Sequence, residues 1–288
     1  MIQTPSTPQR IVVGVDSSDN ALHAAIWAAR QAVDLGVPLL VVHALDLGAT
    51  SIYSTAVGYT EARREDGATL LGQVARTLRE KVRGVIVDTE LFDQGAPQTL
   101  VALSNESTLV VSGTRGHGGF AGLLLGSVSL KLAGHSHGPV AVVRAGEPSE
   151  PENAIVLGVE PEEHEAPIRF AFALAAQLGA TLDVVRAWWP QAAYGGYYSA
   201  DIGIAERDHA VDVEGLIKAL REEYPGVKVF VSPMRGNPVP MLLEASRGAR
   251  LLVVGAHRKH SPLSVGAGYV VQGLLSHAAT PVAVVPVV

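Results

Sequence analysis

Two kinds of pattern alternate along the chain. Short runs of consecutive apolar residues, rich in Val, are IVVGVD (residues 11–16), PLLVVHAL (38–45), LVVSG (109–113) and PVAVV (139–143). Runs this short and this continuous suit strands buried on both faces. Between them lie longer stretches with apolar residues at helical spacing. DNALHAAIWAARQAVDLG (19–36) predicts a helix with Asp19 near its start and Gly36 closing it. Residues 60–82 predict a second, more polar helix with a solvated face, residues 96–107 a third, and residues 126–137 a fourth. Five strands with intervening helices predict a mostly parallel α/β sheet with helices on both faces. Right-handed crossovers and short connections make it doubly wound.

The pattern is written twice. IVVGVD returns as IVLGVE (155–160), PLLVVHAL as TLDVVRAW (181–188), and GAP (95–97) as GNP (236–238). LVVSGTRG (109–116) returns as LLVVGAHR (251–258), and PVAVV returns unchanged at 281–285. Two domain-sized copies in the same order are a tandem duplication rather than a solenoid. The junction RAGEPSEPEN (144–153) reads as a linker. The expected domains are residues 1–148 and 149–288, each a five-stranded doubly wound unit. Each copy closes on an apolar run, residues 139–143 and 281–285, whose edge needs covering.

Composition narrows the function classes. The 288 residues are 48% hydrophobic and 17% charged, which supports a sizeable core. With a net charge of -6 and no Lys/Arg block, nucleic acid is not an expected partner. The absence of cysteine removes disulfide and thiolate chemistry. The first ten residues are polar, with Pro5 and Pro8, and lack the apolar core of a signal peptide. No apolar run reaches the length of a membrane helix. The expectation is a cytoplasmic protein without a membrane partner.

The chemistry concentrates in GTRGHGGFAGLLLGS (113–127), which follows the run 109–111. Gly113-x2-Gly116-x9-Gly126-Ser127 leads into a helix, where backbone N–H groups bind anions. Gly126 would let a phosphate approach, and Ser127 and Ser129 offer hydroxyls. The spacing is neither that of a Walker loop nor that of a dinucleotide fingerprint. In a doubly wound sheet a ligand binds beyond the carboxyl ends of the strands at the switch point. There Asp16, ending the first strand, suits a ribose or adenine, with a turn or helix cap as its bland alternative. Ser17, Ser18 and Asp19 read as capping residues.

Taken with IVVGVDSS, VVHAL and GPVAVV, this glycine pattern resembles the nucleotide-binding signature of ATP-binding universal stress proteins, over essentially the whole chain. The tandem arrangement is similar to members common in actinobacteria. The resemblance implies ATP, carried with magnesium, as the bound cofactor. It places Asp16 at the adenosine end and the Ala44 backbone against adenine. Gly113, Thr114 and Gly116 would line the ribose and phosphates, and Gly126, Ser127, Val128 and Ser129 would hold the phosphates. It also implies a stress or energy-state sensor that works through a protein partner. In single-domain members the last strand pairs two subunits, so the resemblance implies that residues 139–143 lie beside 281–285 as an intramolecular pseudo-dimer, with further association into a homodimer left open.

The second copy departs from the signature. Gly255 is kept, but Arg258 stands in place of the second glycine, Tyr269 follows Gly268, and Glu160 replaces the strand-end Asp. One competent site in the first half is expected, although Arg258 and Lys259 offer cations for a phosphate in the second. No dedicated general base or nucleophile with an oriented histidine is visible, so at most weak ATP hydrolysis is expected. The alternatives are a slow ATPase using Asp16 and a divalent ion, a cyclic AMP binder, and a nucleotide-independent scaffold. His117, His135 and His137, and likewise His257 and His260, cluster loosely without carboxylates, and no metal site is expected. His43 reads as a buried structural residue. Trp188-Trp189 and residues 193–198 offer a partner surface or a cover for the sheet end.

Overall fold

The computed structural model describes residues 7–47, 57–116, 125–146, 151–160, 164–188, 202–257 and 268–287. In the first half the elements are β1 (Arg10–Gly14), α1 (Asp19–Leu35), β2 (Leu39–Ala44), α2 (Val57–Lys81) and β3 (Val87–Phe92). They are followed by α3 (Ala96–Leu103), β4 (Thr108–Gly113), α4 (Ser127–His135) and β5 (Val140–Val143). The second half repeats the order. It begins with β6 (Glu152–Gly158), α5 (Glu165–Leu178), β7 (Thr181–Trp188), α6 (Ile202–Glu223) and β8 (Val229–Arg235). It ends with α7 (Pro238–Ala245), β9 (Ala249–His257), α8 (Tyr269–His277) and β10 (Val282–Val287).

The strands form one ten-stranded sheet in the order β3-β2-β1-β4-β5-β10-β9-β6-β7-β8. Every neighbouring pair is parallel except β5 and β10, which run antiparallel with Ala141 opposite Ala283. The two repeats are therefore joined through their last strands, as the family resemblance implied. Each repeat reverses its strand order between its first and fourth strands, at β1/β4 and at β6/β9.

Strand alternation divides the core into two layers. Ile11, Val13, Leu39, Val41, Leu109 and Val111 point into the layer under α1, α2, α5 and α6. Val12, Val42, Val110, Val140 and Val142 point into the layer under α3, α4, α7 and α8. Most of these strand side chains are fully buried on a sheet covered from both sides, which explains why the runs lack polar interruption.

Local signals set the helix ends. Ser18 caps α1 by accepting the Ala21 N–H at 3.2 Å. Gly36 ends it in the left-handed region, φ 66°, with its N–H turned back to Ala32 O and Val33 O. The third predicted helix stops at Leu103, where Ser104 N–H returns to Val101 O. In both halves the helix before the fourth strand lies close on a glycine of the first strand: Leu100 on Gly14 and Leu242 on Gly158.

Side chains also tie the halves together. Arg144 donates to the carbonyls of Leu275, Ser276 and Ala278, the C-terminal end of α8. Arg250 pairs with Asp34 and Gln31, and Gln177 donates to Leu35 O at 2.7 Å. No helix among the described residues is long and apolar enough to cross a membrane.

Candidate functional site

At the β1/β4 switch point a cavity of about 530 Å³ opens beyond the strand ends. Gly14 and Val15, Val42 and Ala44, and Ser112 and Gly113 supply its floor from three adjacent strands. Ala96, Thr99 and Leu100 of α3 form one wall, and Leu125 to Ser129 form another at the start of α4.

The cavity has an apolar end and a polar end. Val42, Ala44, Ala96 and Leu100 make the first. Arg115, Gly116, Gly126 and Ser127 make the second. There α4 begins without a side-chain cap on its N-cap residue Gly126. Gly126 N–H donates to Thr114 O at 2.7 Å, and the first helical bond is Leu130 N–H to Gly126 O at 3.1 Å. The N–H groups of Ser127, Val128 and Ser129 lie between these two bonds, at the positive end of the helix dipole. Arg115 adds a cation. Burial, and then the nearby charge of Arg115, lower the pKa of Arg144 from its ordinary value. Arg144 itself is committed to the α8 carbonyls and does not border the cavity.

Of the motif glycines, Gly113 is the most tightly placed, because a Cβ there would lie 2.9 Å from the backbone oxygen of Asn20. A Cβ on Gly116 would run into Asp16 Oδ2, the end of a side chain. A Cβ on Gly126 would lie 3.2 Å from Thr114 O. Asp16 itself does two things. Its Oδ1 accepts from Ser18 N–H at 3.0 Å and Ser18 Oγ at 2.5 Å, fixing the turn into α1. Asp16 also borders the cavity.

The predicted residues Asp16, Ala44, Gly113, Gly116, Gly126, Ser127, Val128 and Ser129 all border this cavity. Thr114 does not. It is buried, and its N–H prolongs the β4–β5 pairing by donating to Val143 O at 3.1 Å. Ser129 borders the cavity, but its hydroxyl donates to Gly113 O at 2.7 Å, so its proton holds α4 to β4 rather than facing a ligand. His43 is half-buried rather than buried, and its Nδ1 lies 2.8 Å from Val15 O, a link between strands. Arg115, Thr99, Leu100 and Ala96 are lining residues that the sequence motif did not point to. The repeat itself held a signal for the last three: GAP and GNP open α3 and α7 at the same place in each half.

The β6/β9 switch point holds a smaller cavity, about 290 Å³. Glu160, His164, His257, Gly268 and Tyr269 border it. Tyr269, the first residue of α8, is 73% exposed at the place where α4 carries Ser127. A Cβ on Gly268 would meet no atom of the described residues within 4 Å, so the close fit at Gly126 has no counterpart among them. Arg258, Lys259 and His260 lie outside the described residues, as do His117, Trp189 and residues 193–198. Among the described residues no group of three His, Asp or Glu side chains is placed to hold a metal ion.

The architecture defines a class: a tandem pair of doubly wound α/β units, each with a crevice at its switch point and glycines at the crevice wall. The universal stress protein family model matches residues 7–144 and again 153–286, and the chain belongs to that family. A universal stress protein of Mycolicibacterium smegmatis is 29% identical over 307 residues, covering 99% of each chain. One from Mycobacterium tuberculosis is 29% identical over 291 residues, covering 97% of this chain and 98% of its own. The crystal structure of a universal stress protein from Archaeoglobus fulgidus superimposes with a TM-score of 0.73 at 16% identity, covering 99% of both chains. That last likeness speaks to the fold alone.

Proposed function

We propose that the first half binds ATP in the β1/β4 cavity and that the chain acts as a stress or energy-state sensor through this bound state. The observation that carries the reading is the uncapped N-terminus of α4 opening beside Arg115 into a cavity whose other end is apolar. A phosphate chain suits the polar end, where N–H groups, a helix dipole and a guanidinium converge. A nucleobase suits the apolar end between Val42, Ala44 and Leu100. Asp16 lies between them, where its carboxylate accepts from ribose hydroxyls. The volume falls within the roughly 300–1,000 Å³ typical of small-molecule sites.

The lining residues fit binding better than fast turnover. Among the described residues Asp16 is the one carboxylate bordering the cavity, and no histidine borders it to relay a proton. Magnesium would arrive on the phosphates, and of the described lining side chains Asp16 is the one suited to it. The second cavity, with Tyr269 at its helix start and about 290 Å³ of room, is not suited to a triphosphate.

The test is displacement of labelled ATP from nucleotide-stripped protein. Unlabelled ATP should displace it, and cyclic AMP, which lacks the chain that α4 receives, should compete more weakly. Equal or better competition by cyclic AMP favours the cyclic nucleotide reading. Failure of labelled ATP to bind at all overturns the proposal. Phosphate release above background that disappears in Asp16→Asn would move the protein to the ATPases.

A further inference from the structure

Thr99 lies in the first turn of α3, on the same helical face as Ala96 and Leu100. It is 1% exposed, and its Oγ1 is buried with no hydrogen-bond partner among the described residues. A helical threonine commonly closes back on the carbonyl four residues earlier. Here Gly95 O receives the Thr99 N–H at 3.0 Å, and the hydroxyl remains unmatched. A buried hydroxyl without a partner destabilises the fold that contains it. Valine, of nearly the same shape, would have filled the space without that penalty.

The position of Thr99 gives the hydroxyl a use. Thr99 borders the 530 Å³ cavity at its apolar end, facing the ends of β1 and β2. Its neighbours there, Gly14, Val15, Val42, Ala44, Ala96 and Leu100, bring no polar side-chain atom. The other lining hydroxyls, Ser112, Ser127 and Ser129, belong to β4 and α4 on the opposite side. A flat heterocycle resting on Val42 and Ala44 would present its edge to the α3 wall of Ala96, Thr99 and Leu100.

We propose that Thr99 reads the base: its Oγ1 hydrogen-bonds the edge of the purine in the bound nucleotide. A hydroxyl both donates and accepts, so it meets either an exocyclic amino group or a ring nitrogen. Rotation about χ1 exchanges the hydroxyl and methyl positions of a threonine, and its cost is offset when the bond formed satisfies a buried group. The proposal rests on the nucleotide reading of the cavity and adds a residue to it. It also explains why an unfavourable hydroxyl stands in an apolar wall: the free protein is destabilised by an atom that the ligand satisfies.

The test uses the full chain, three variants and three probes. Adenosine, ATP and inorganic tripolyphosphate are titrated into wild type, Thr99→Val, Thr99→Ala and Thr99→Ser, and each free protein is melted. Thr99→Val should weaken adenosine and ATP by roughly tenfold, the loss expected for one buried hydrogen bond. Tripolyphosphate, which has no base, should bind it as it binds wild type. Free Thr99→Val should melt a few degrees higher than wild type, on the order of 2–4 °C. Thr99→Ser, which keeps the hydroxyl, should keep the affinity, while Thr99→Ala should lose it even if Thr99→Val folds poorly. Unchanged ATP and adenosine affinity in Thr99→Val and Thr99→Ala overturns the proposal, as does equal loss of tripolyphosphate. Wild type that binds none of the three overturns the nucleotide reading itself, and this proposal falls with it.

Discussion

A methyl group on Gly116 would meet the Asp16 carboxylate, the end of a side chain at the cavity edge. Gly116→Ala should force the carboxylate aside and lower ATP affinity by roughly tenfold or more, read by titration. Gly268→Ala, with no described atom near its Cβ position, should leave it unchanged. The converse result would put the site in the second half. The glycines were legible in the sequence because spacing alone marked a loop that must turn and approach. Thr114 was not separable from its neighbours in that motif, because its removal from the cavity depends on β5 lying beside β4 and Val143 O taking its N–H. Thr99 and Leu100 carry no signature of their own. They reach the cavity only because α3 is laid across the ends of β1 and β2, a placement that no local pattern states.

Helix starts and ends were easier to read, because caps are local. Ser18 closes the first turn of α1 and also donates twice to Asp16 Oδ1. Ser18→Ala should therefore act in two ways. Stability in denaturant should fall by about 1 kcal/mol through loss of the cap, and ATP affinity should fall because Asp16 loses its anchor. A loss of stability with unchanged affinity would show that Asp16 takes no part in binding. On α6, His209 packs its ring against Trp188 at 4.8 Å. Burial, then the charge of Arg186, lowers the His209 pKa against the opposing pull of Asp212 and Asp208. The unfolded chain then binds the proton more readily than the folded one. The contribution to stability is complete above about pH 6.5 and is lost as pH falls through the lower folded value. Thermal melts from about pH 7.5 to 5, a range spanning the histidine titration, should show this decline in wild type and a shallower one in His209→Gln; identical slopes would contradict it.

At the scale of the whole molecule the duplication, read with the family resemblance, implied a join through the closing apolar strands, and β5 beside β10 is that join. The side-chain ties across it were not legible, because Arg144 and the C-terminal end of α8 are separated by more than 130 positions in the chain. Arg144→Ala leaves the last carbonyls of α8 without their donor and should lower stability by about 2 kcal/mol. Its melting should shift downwards while ATP affinity per folded chain changes little. Unchanged melting would show that the carbonyls are equally well served by water. The repeat also made the asymmetry readable: Tyr269 and Glu160 in the second half predict a weaker crevice, and the structure places both at a cavity about 290 Å³ in size, against 530 Å³ in the first.

Calorimetric titration of the nucleotide-stripped chain with Mg-ATP, fitting affinity and stoichiometry together, tests the central claim most directly. One ATP per chain, bound more weakly in Gly116→Ala and unchanged in Gly268→Ala, is the predicted result. Two equivalent sites would contradict the asymmetry between the halves. Absence of heat together with an unshifted melting temperature would contradict nucleotide binding and leave the glycine loop as architecture.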